Sequence, residues 1–403
     1  MTTATAAQPA ILPLRRVSAC PPQGLRVAGL FAGIGGIELG LHRAGHQSAL
    51  LCEIEPGAKA VLRTRFPDIE LTGDVCGLAS LPEVDLVAAG FPCQDLSQAG
   101  RTVGIAGSQS GLVGHVFRLL EPVNPRWLLL ENVPFMLQLD RGRAMRHLTT
   151  QLGDLGFRWA YRVVDARSFG MPQRRQRVLL LASRDQDPRP VLFADDAGEP
   201  PERDPRGLAC GFYWTEGIRG LGWAIDAIPT LKGGSTIGIP SPPAVWMPDG
   251  LVGTPDVRDA ERLQGFPADW TAVDFPATRR GIGSRWKMVG NAVCTPVSQW
   301  VGERLNDPGT FDDALSQPLT GGRWPIAAWG EGKRAFAVNL SLWPLALPRP
   351  HLAEFLEHPL HPLSIRAAQG FLARTDRSSL RFPEGFLDAV RRHLKAMERR
   401  SAA

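Results

Sequence analysis

From Leu25 to Ser183 short apolar runs alternate with amphipathic ones, and this alternation limits the fold more than any other feature of the 403 residues. Runs of strand character fall at Leu25–Phe31, Ser48–Ile54, Ile69–Val75, Asp85–Phe91, Arg126–Val133, Phe157–Asp165 and Arg177–Ser183. Between them helical patterns run from Gly36 to about Arg43, from Glu55-Pro56 to about Arg65, over Leu112–Glu121 and over residues 141–155. Proline near the start of the second helix sits where its missing N–H is not needed. Strands that alternate with helices build an α/β fold, a doubly wound, mostly parallel, Rossmann-like sheet. Such sheets keep their ligand crevice outside the carboxyl ends of the strands.

Elsewhere the chain changes character. Residues 1–24, rich in Ala, Pro and Thr, read as a disordered lead-in. Residues 25–184 form the α/β domain expected from the alternation. Residues 185–255 are dense in Pro and Gly and read as a small loop-rich domain. Order returns over 256–305, with helices at Asp256–Leu263 and after Pro296. Residues 306–403 form a C-terminal extension that ends in an amphipathic helix. There Phe386, Val390, Leu394 and Met397 share one face, with Arg391, Arg392, Lys395, Arg399 and Arg400 outside it. The apolar face is expected to cover a core rather than the basic side to hold a polyanion.

A hydrophobic content of 44% with 21% charged residues is that of a soluble globular protein. The net charge of +5 points mildly to a polyanionic partner. Six cysteines without a C-x-x-C pair argue against a disulfide scaffold or zinc ribbon and for a reducing compartment. No apolar run approaches the roughly 18 residues that cross a bilayer. Arg15 and Arg16 precede no apolar stretch, so no secretion signal is expected. His351, His358 and His361 lie among prolines, without cysteine or an H-E-x-x-H pattern, so no metal site is expected there.

Three features converge on the crevice. Asp85–Phe91 ends in Gly90-Phe91-Pro92-Cys93-Gln94, which delivers the Cys93 thiol just beyond a strand end. The loop Phe31-Ala32-Gly33-Ile34-Gly35-Gly36 stands where a dinucleotide fingerprint would lie, but the third glycine of that pattern is replaced by Glu38. An acid beside a helix N-terminus would repel a pyrophosphate. Glu53 follows Gly33 by 20 residues, the place of a carboxylate that takes ribose hydroxyls, and Asp74 closes the third strand. The set fits a nucleoside-like cofactor without a diphosphate, S-adenosylmethionine rather than NAD.

With those residues in hand the chain resembles the cytosine-5 DNA methyltransferases. The ordered motifs are Phe31 to Gly36, Gly73-Asp74-Val75, Pro92-Cys93-Gln94, Glu131-Asn132-Val133 and Gln173-Arg174-Arg175-Gln176-Arg177. They continue as Glu261-Arg262-Leu263-Gln264-Gly265-Phe266-Pro267 and Gly290-Asn291-Ala292-Val293, so the likeness covers about residues 25–305. It implies a class I S-adenosylmethionine-dependent fold whose small domain, 185–255, recognises the target. It implies Cys93, Glu131, Arg175 and Arg177 as catalytic residues. The cofactor set that it implies is Phe31, Ala32, Gly33, Ile34, Gly35, Gly36, Glu53, Ile54, Asp74, Val75, Pro92, Asn291 and Val293. Many relatives carry a large aromatic at the place of Ile54, which puts cofactor packing there in question.

The chemistry explains the residue types. Carbon 5 of cytosine is a poor nucleophile until a thiolate adds at carbon 6 and breaks the aromaticity. By resemblance Glu131 holds N3 and the exocyclic amine, and Arg177 the ring carbonyl. A paired base cannot present carbon 6, so it must be flipped out of the duplex. DNA contacts are expected from Gln94, Ser97, Arg175, Lys232 and Gly233. The implied partner is double-stranded DNA, and the setting admits a cognate restriction endonuclease. The compact chain is expected to be a cytoplasmic monomer. An RNA cytosine-5 methyltransferase and a catalytically silent DNA-binding regulator are the competing readings.

Overall fold

The structure, a computed structural model, describes residues 24–91, 111–233, 242–274 and 281–402. Arg26–Leu30 (β1), Gln47–Cys52 (β2), Glu70–Thr72 (β3), Leu86–Ala89 (β4) and Trp127–Asn132 (β5) pair in parallel in the order β3-β2-β1-β4-β5. Every residue of β4 and β5 is buried, as strands covered on both faces require. The helices Gly36–Arg43 (α1), Pro56–Arg65 (α2), Leu112–Val123 (α3) and Arg143–Asp154 (α4) alternate with them. Helix α4 carries Met145, Leu148 and Leu152 into the core on one face.

Beyond β5 the direction changes. Arg158–Asp165 (β6) and Gln176–Ser183 (β8) run antiparallel, with β8 between β5 and β6. Only a short 3-10 turn and the two-residue strand Gln173–Arg174 (β7) separate β6 from β8. No crossover helix fits there, so the two strands fold back on each other.

A second sheet has the order β10-β9-β12-β13-β17. Its strands are Cys210–Phe212 (β9), Ala224–Ile225 (β10), Ala244–Trp246 (β12), Val252–Thr254 (β13) and His361–Pro362 (β17). Ile228–Pro229 (β11) pairs with β7 and ties the two parts together. The chain then returns to the large domain as Val257–Leu263 (α5), Gly281–Asn291 (α6) and Thr295–Asn306 (α7).

The C-terminal segment divides between the two sheets. Ser316–Pro318 (β14), Ala327–Glu331 (β15) and Arg334–Val338 (β16) extend the large sheet beyond β6 to ten strands. β17 instead closes the edge of the small sheet by pairing with β13. Ile365–Thr375 (α8) and Phe386–Ala402 (α9) cover that sheet, burying Phe371, Phe386 and Val390 against Phe212, Ala244 and Val252. The Phe212 and Phe386 rings meet edge to face at 4.8 Å. Leu394 and Met397 are only half-buried and the basic side of α9 is exposed. Among the described residues no helix is long and apolar enough to cross a membrane.

Candidate functional site

A cavity of about 890 Å³ opens at the carboxyl ends of β1, β2, β4 and β5. The chain leaves β1 through Phe31, held at φ 56°, a conformation that side-chain-bearing residues rarely adopt. Gly33 is also left-handed at φ 56°, and a Cβ there would meet nothing within 4 Å. Its backbone therefore borders open space. The Gly33 N–H donates to Glu53 Oε2 at 2.7 Å, and the Glu55 N–H to Glu53 Oε1 at 2.7 Å. Glu53 thus fixes the loop while lining the cavity beside it. Trp270 Nε1 donates to Ile34 O at 2.8 Å and pins the far side of the loop.

Of the residues expected at the cofactor, Phe31, Gly33, Ile34, Glu53, Ile54, Asp74, Val75 and Asn291 line this cavity. Ala32, Gly35, Gly36 and Val293 do not. Gly35 and Gly36 are packing positions: a Cβ would stand 2.4 Å from the Phe66 ring and 2.5 Å from Val293 O. Asp74 is fully exposed, and the Cys76 N–H donating to it at 2.9 Å holds its carboxyl below the usual range. Ile54 is 64% exposed, an apolar side chain set on the cavity wall. Pro92, Cys93, Gln94 and Ser97 lie outside the described residues.

Glu38 corrects one step of the sequence reading. Its carboxyl does not face a phosphate position but is buried under β1, 1% exposed, where a Cβ on Gly29 would stand 2.1 Å from Oε1. Burial, helped by the charge of Glu53, pushes it up to about 7.

The opposite wall holds Glu131 and Arg177, from the neighbouring strands β5 and β8. Arg177 Nε lies 2.8 Å from Glu131 Oε1, and both side chains are 10% exposed. Arg177 Nη1 also donates to Gln176 O at 2.7 Å. Burial pulls the Arg177 guanidinium below its usual value while the Glu131 charge pulls the other way. Gly90 leaves room here, its missing Cβ 3.5 Å from Glu131 Oε2. Asn132, absent from the expected site, donates through Nδ2 to Phe91 O at 3.0 Å. That bond fixes the point where the chain leaves β4, two residues before Cys93.

Arg175 stands behind the cavity wall. It is 1% exposed and is not among the residues that line the cavity, though it feels the charges of Arg177 and Glu131 there. Its Nη1 donates to Leu231 O at 2.9 Å, and its Nη2 to Ala292 O at 2.6 Å and Gly290 O at 3.3 Å. Burial, with the Arg177 charge, lowers it to about 9. Arg175 is a clamp between the small-domain linker and the end of α6. Lys232 and Gly233 reach the cavity because of it, with Gly290 so close to Lys232 O (2.3 Å from a Cβ) that no side chain fits.

The sequence reading missed α6, which brings Ser284, Lys287 and Met288 to the cavity. Lys287 Nζ lies 3.1 Å from Glu55 Oε1. Buried Trp286 and Val289, three apart, were the available signal, masked by Gly281, Gly283 and Gly290, each a weak helix former. The three histidines sit on separate carboxylates: His351 on Asp226 at 2.9 Å, His358 on Asp259 at 3.2 Å and His361 on Asp256 at 3.3 Å.

Residues 25–204 match the family described as C-5 cytosine-specific DNA methylase. The Type II methyltransferase M2.BsuMI of Bacillus subtilis (strain 168) is 50% identical over 382 residues, 91% of this chain and 98% of that protein. The Type II methyltransferase M.MspI of Moraxella sp is 28% identical over 298 residues, 69% of each chain. The solved S. pombe Dnmt2 methyltransferase shares the fold with a TM-score of 0.50 at 17% identity, over 70% of this chain and 97% of that one. Half-identity along nearly the whole of a Type II methyltransferase, on this fold, makes the chain a member of the C-5 cytosine-specific DNA methylases, S-adenosylmethionine-dependent enzymes that methylate carbon 5 of cytosine in DNA.

Proposed function

We propose that the cytosine is flipped out of duplex DNA into the 890 Å³ cavity and attacked there by Cys93. The observation that carries this reading is the Glu131–Arg177 pair on the wall of the same cavity that Gly33 and Glu53 border. An acceptor and a donor 2.8 Å apart present complementary groups to one edge of a flipped base.

The residues present fit S-adenosylmethionine. Gly33 leaves its backbone bare toward open space, Glu53 offers a carboxylate to ribose hydroxyls, and Ile54 offers an apolar face to the adenine. When bound, the cofactor supplies a methyl group made electrophilic by its sulfonium. Cys93 would add as thiolate to carbon 6, making carbon 5 nucleophilic enough to take that methyl as the S–CH3 bond breaks and S-adenosylhomocysteine leaves. A base removes the carbon-5 proton, and the electron pair expels the thiolate. Glu131 holds the N3 edge, and Arg177 holds the carbonyl and keeps Glu131 in place.

Residues 185–255 select the target site, and Lys232, Gly233, Gln94 and Ser97 contact the DNA. Relatives named Type II methyltransferases support a restriction-modification setting with a cognate endonuclease. The chain acts as a cytoplasmic monomer.

Duplex DNA with fluorine at carbon 5 of the target cytosine tests the covalent step. The base cannot remove fluorine as a cation, so enzyme and DNA should stay joined after denaturation, only with S-adenosylmethionine present. Peptide mapping should place the bond at Cys93, and Cys93→Ser should abolish it. A crosslink at Cys76 or Cys294, or one that survives Cys93→Ser, overturns the assignment.

A further inference from the structure

Near the end of α8, Arg374 reaches across to the small domain. Its Nε donates to Glu216 O at 3.0 Å and its Nη2 to Trp214 O at 2.5 Å. Ser378 Oγ donates to Ile218 O at 3.0 Å, so three carbonyls of one turn are held from the C-terminal segment. The turn closes on itself through Glu216 N–H to Tyr213 O at 3.0 Å and Gly217 N–H to Gly220 O at 2.8 Å. Two of its side chains receive Lys232. Glu216 Oε1 lies 2.9 Å from Lys232 Nζ, and the Tyr213 ring centroid lies 3.8 Å from the same ammonium. Lys232 is on the cavity wall.

This pair does little for stability. The two side chains are 49% and 33% exposed, and such surface pairs contribute at most about 1 kcal/mol. Its physical effect is on Lys232 itself. A free lysine side chain loses much of its rotamer freedom when a ligand fixes it. One already held by a carboxylate and a ring has lost that freedom before DNA arrives.

We propose that Arg374 is a positioning residue for target binding. It fixes the 213–218 turn, the turn sets Glu216, and Glu216 holds Lys232 at the cavity mouth. Residues 365–378 thereby act on DNA affinity without touching DNA. The proposal rests on the reading of Lys232 as a DNA contact.

The full-length enzyme tests it, with steady-state methylation of a duplex oligonucleotide, calorimetry with S-adenosylmethionine and thermal unfolding. Arg374→Ala should raise the KM for DNA about five- to ten-fold through lost preorganisation, with kcat and cofactor affinity within about two-fold. Arg374→Lys, which keeps a donor, should recover part of the loss. Glu216→Gln should raise KM in the same sense. The Arg374→Ala/Lys232→Ala double variant should be no worse than Lys232→Ala alone. Multiplying effects, or a raised KM for Lys232→Ala with a wild-type KM for Arg374→Ala, would overturn the proposal while leaving the Lys232 reading intact. A wild-type KM for Lys232→Ala would sink that reading first. If Arg374→Ala fails to fold, Glu216→Gln with Lys232→Ala carries the same comparison.

Discussion

Arg177 Nε stands 2.8 Å from Glu131 Oε1 across two antiparallel strands, with nine-tenths of both side chains covered. A buried pair of this kind is costly to break from one side, because the remaining charge keeps its desolvation penalty without its partner. Arg177→Ala is therefore expected to destabilise the fold by about 3 kcal/mol. Glu131→Gln should cost less, since Arg177 still donates to Gln176 O. Both should lower kcat by about 100-fold or more. Urea unfolding beside methyl-transfer kinetics checks this; a wild-type midpoint for Arg177→Ala would show that the pair is not coupled as the geometry indicates.

Asp74 and Glu53 should separate two ways of losing cofactor. Asp74 is exposed and its bonds go to neighbouring Cys76, so Asp74→Ala should weaken S-adenosylmethionine without changing Tm. Glu53 receives the Gly33 and Glu55 N–H groups, so Glu53→Ala should weaken the cofactor and also lower Tm. Each loss of affinity should be about ten-fold, the size of one charge-assisted hydrogen bond. Calorimetry decides, and unchanged affinity in both variants removes them from the cofactor site.

Ile54 offers a gain instead of a loss. It stands 64% exposed on the cavity wall, where an aromatic ring could lie flat on an adenine. Ile54→Trp should tighten S-adenosylmethionine several-fold, about the 0.5–1.5 kcal/mol of an aromatic pair. An affinity unchanged or weakened would place the adenine elsewhere.

Glu38 makes stability depend on pH. Its carboxyl is raised to about 7 in the fold from an ordinary value of 4.5. The folded state holds the proton more tightly, so the stability it contributes is full below pH 4.5 and is lost as pH rises through 7. Glu38→Gln, neutral at every pH, should therefore be more stable than wild type at pH 8, by up to about 3 kcal/mol. The difference should vanish below pH 4.5. Equal unfolding midpoints at pH 8 would mean that the buried carboxyl finds a partner when it ionises.

Much of the site was legible because its signals are local. The apolar run of β5 and the Gly-Asp of β3 mark strand ends, and strand ends mark the crevice. Arg175 and Arg177 show where this stops. Two residues apart, both are implied as catalytic by the resemblance. The break between β7 and β8 at Arg175 cancels the alternation of a continuous strand, and only Arg177 reaches the cavity. The reversal at β8 could be read only from a missing helix. Pairing of His361-Pro362 with Gly253-Thr254 joins segments more than a hundred residues apart, and no local pattern encodes it.

That last pairing bears on how the protein is made. The core of the small domain joins Phe212, Ala244 and Val252 to Phe371, Phe386 and Val390, with the returning catalytic helices in between. On a ribosome, α9 emerges after every other part of this core, so the core cannot close until α9 has been made. A chain stopped before α9 would carry the catalytic motifs yet lack a finished small domain. Genetic exchange faces the same constraint. A crossover that brings in a new 185–255 without its matching tail would leave the aromatic cluster around Phe386 unmatched, so exchange of the small domain needs two coordinated replacements.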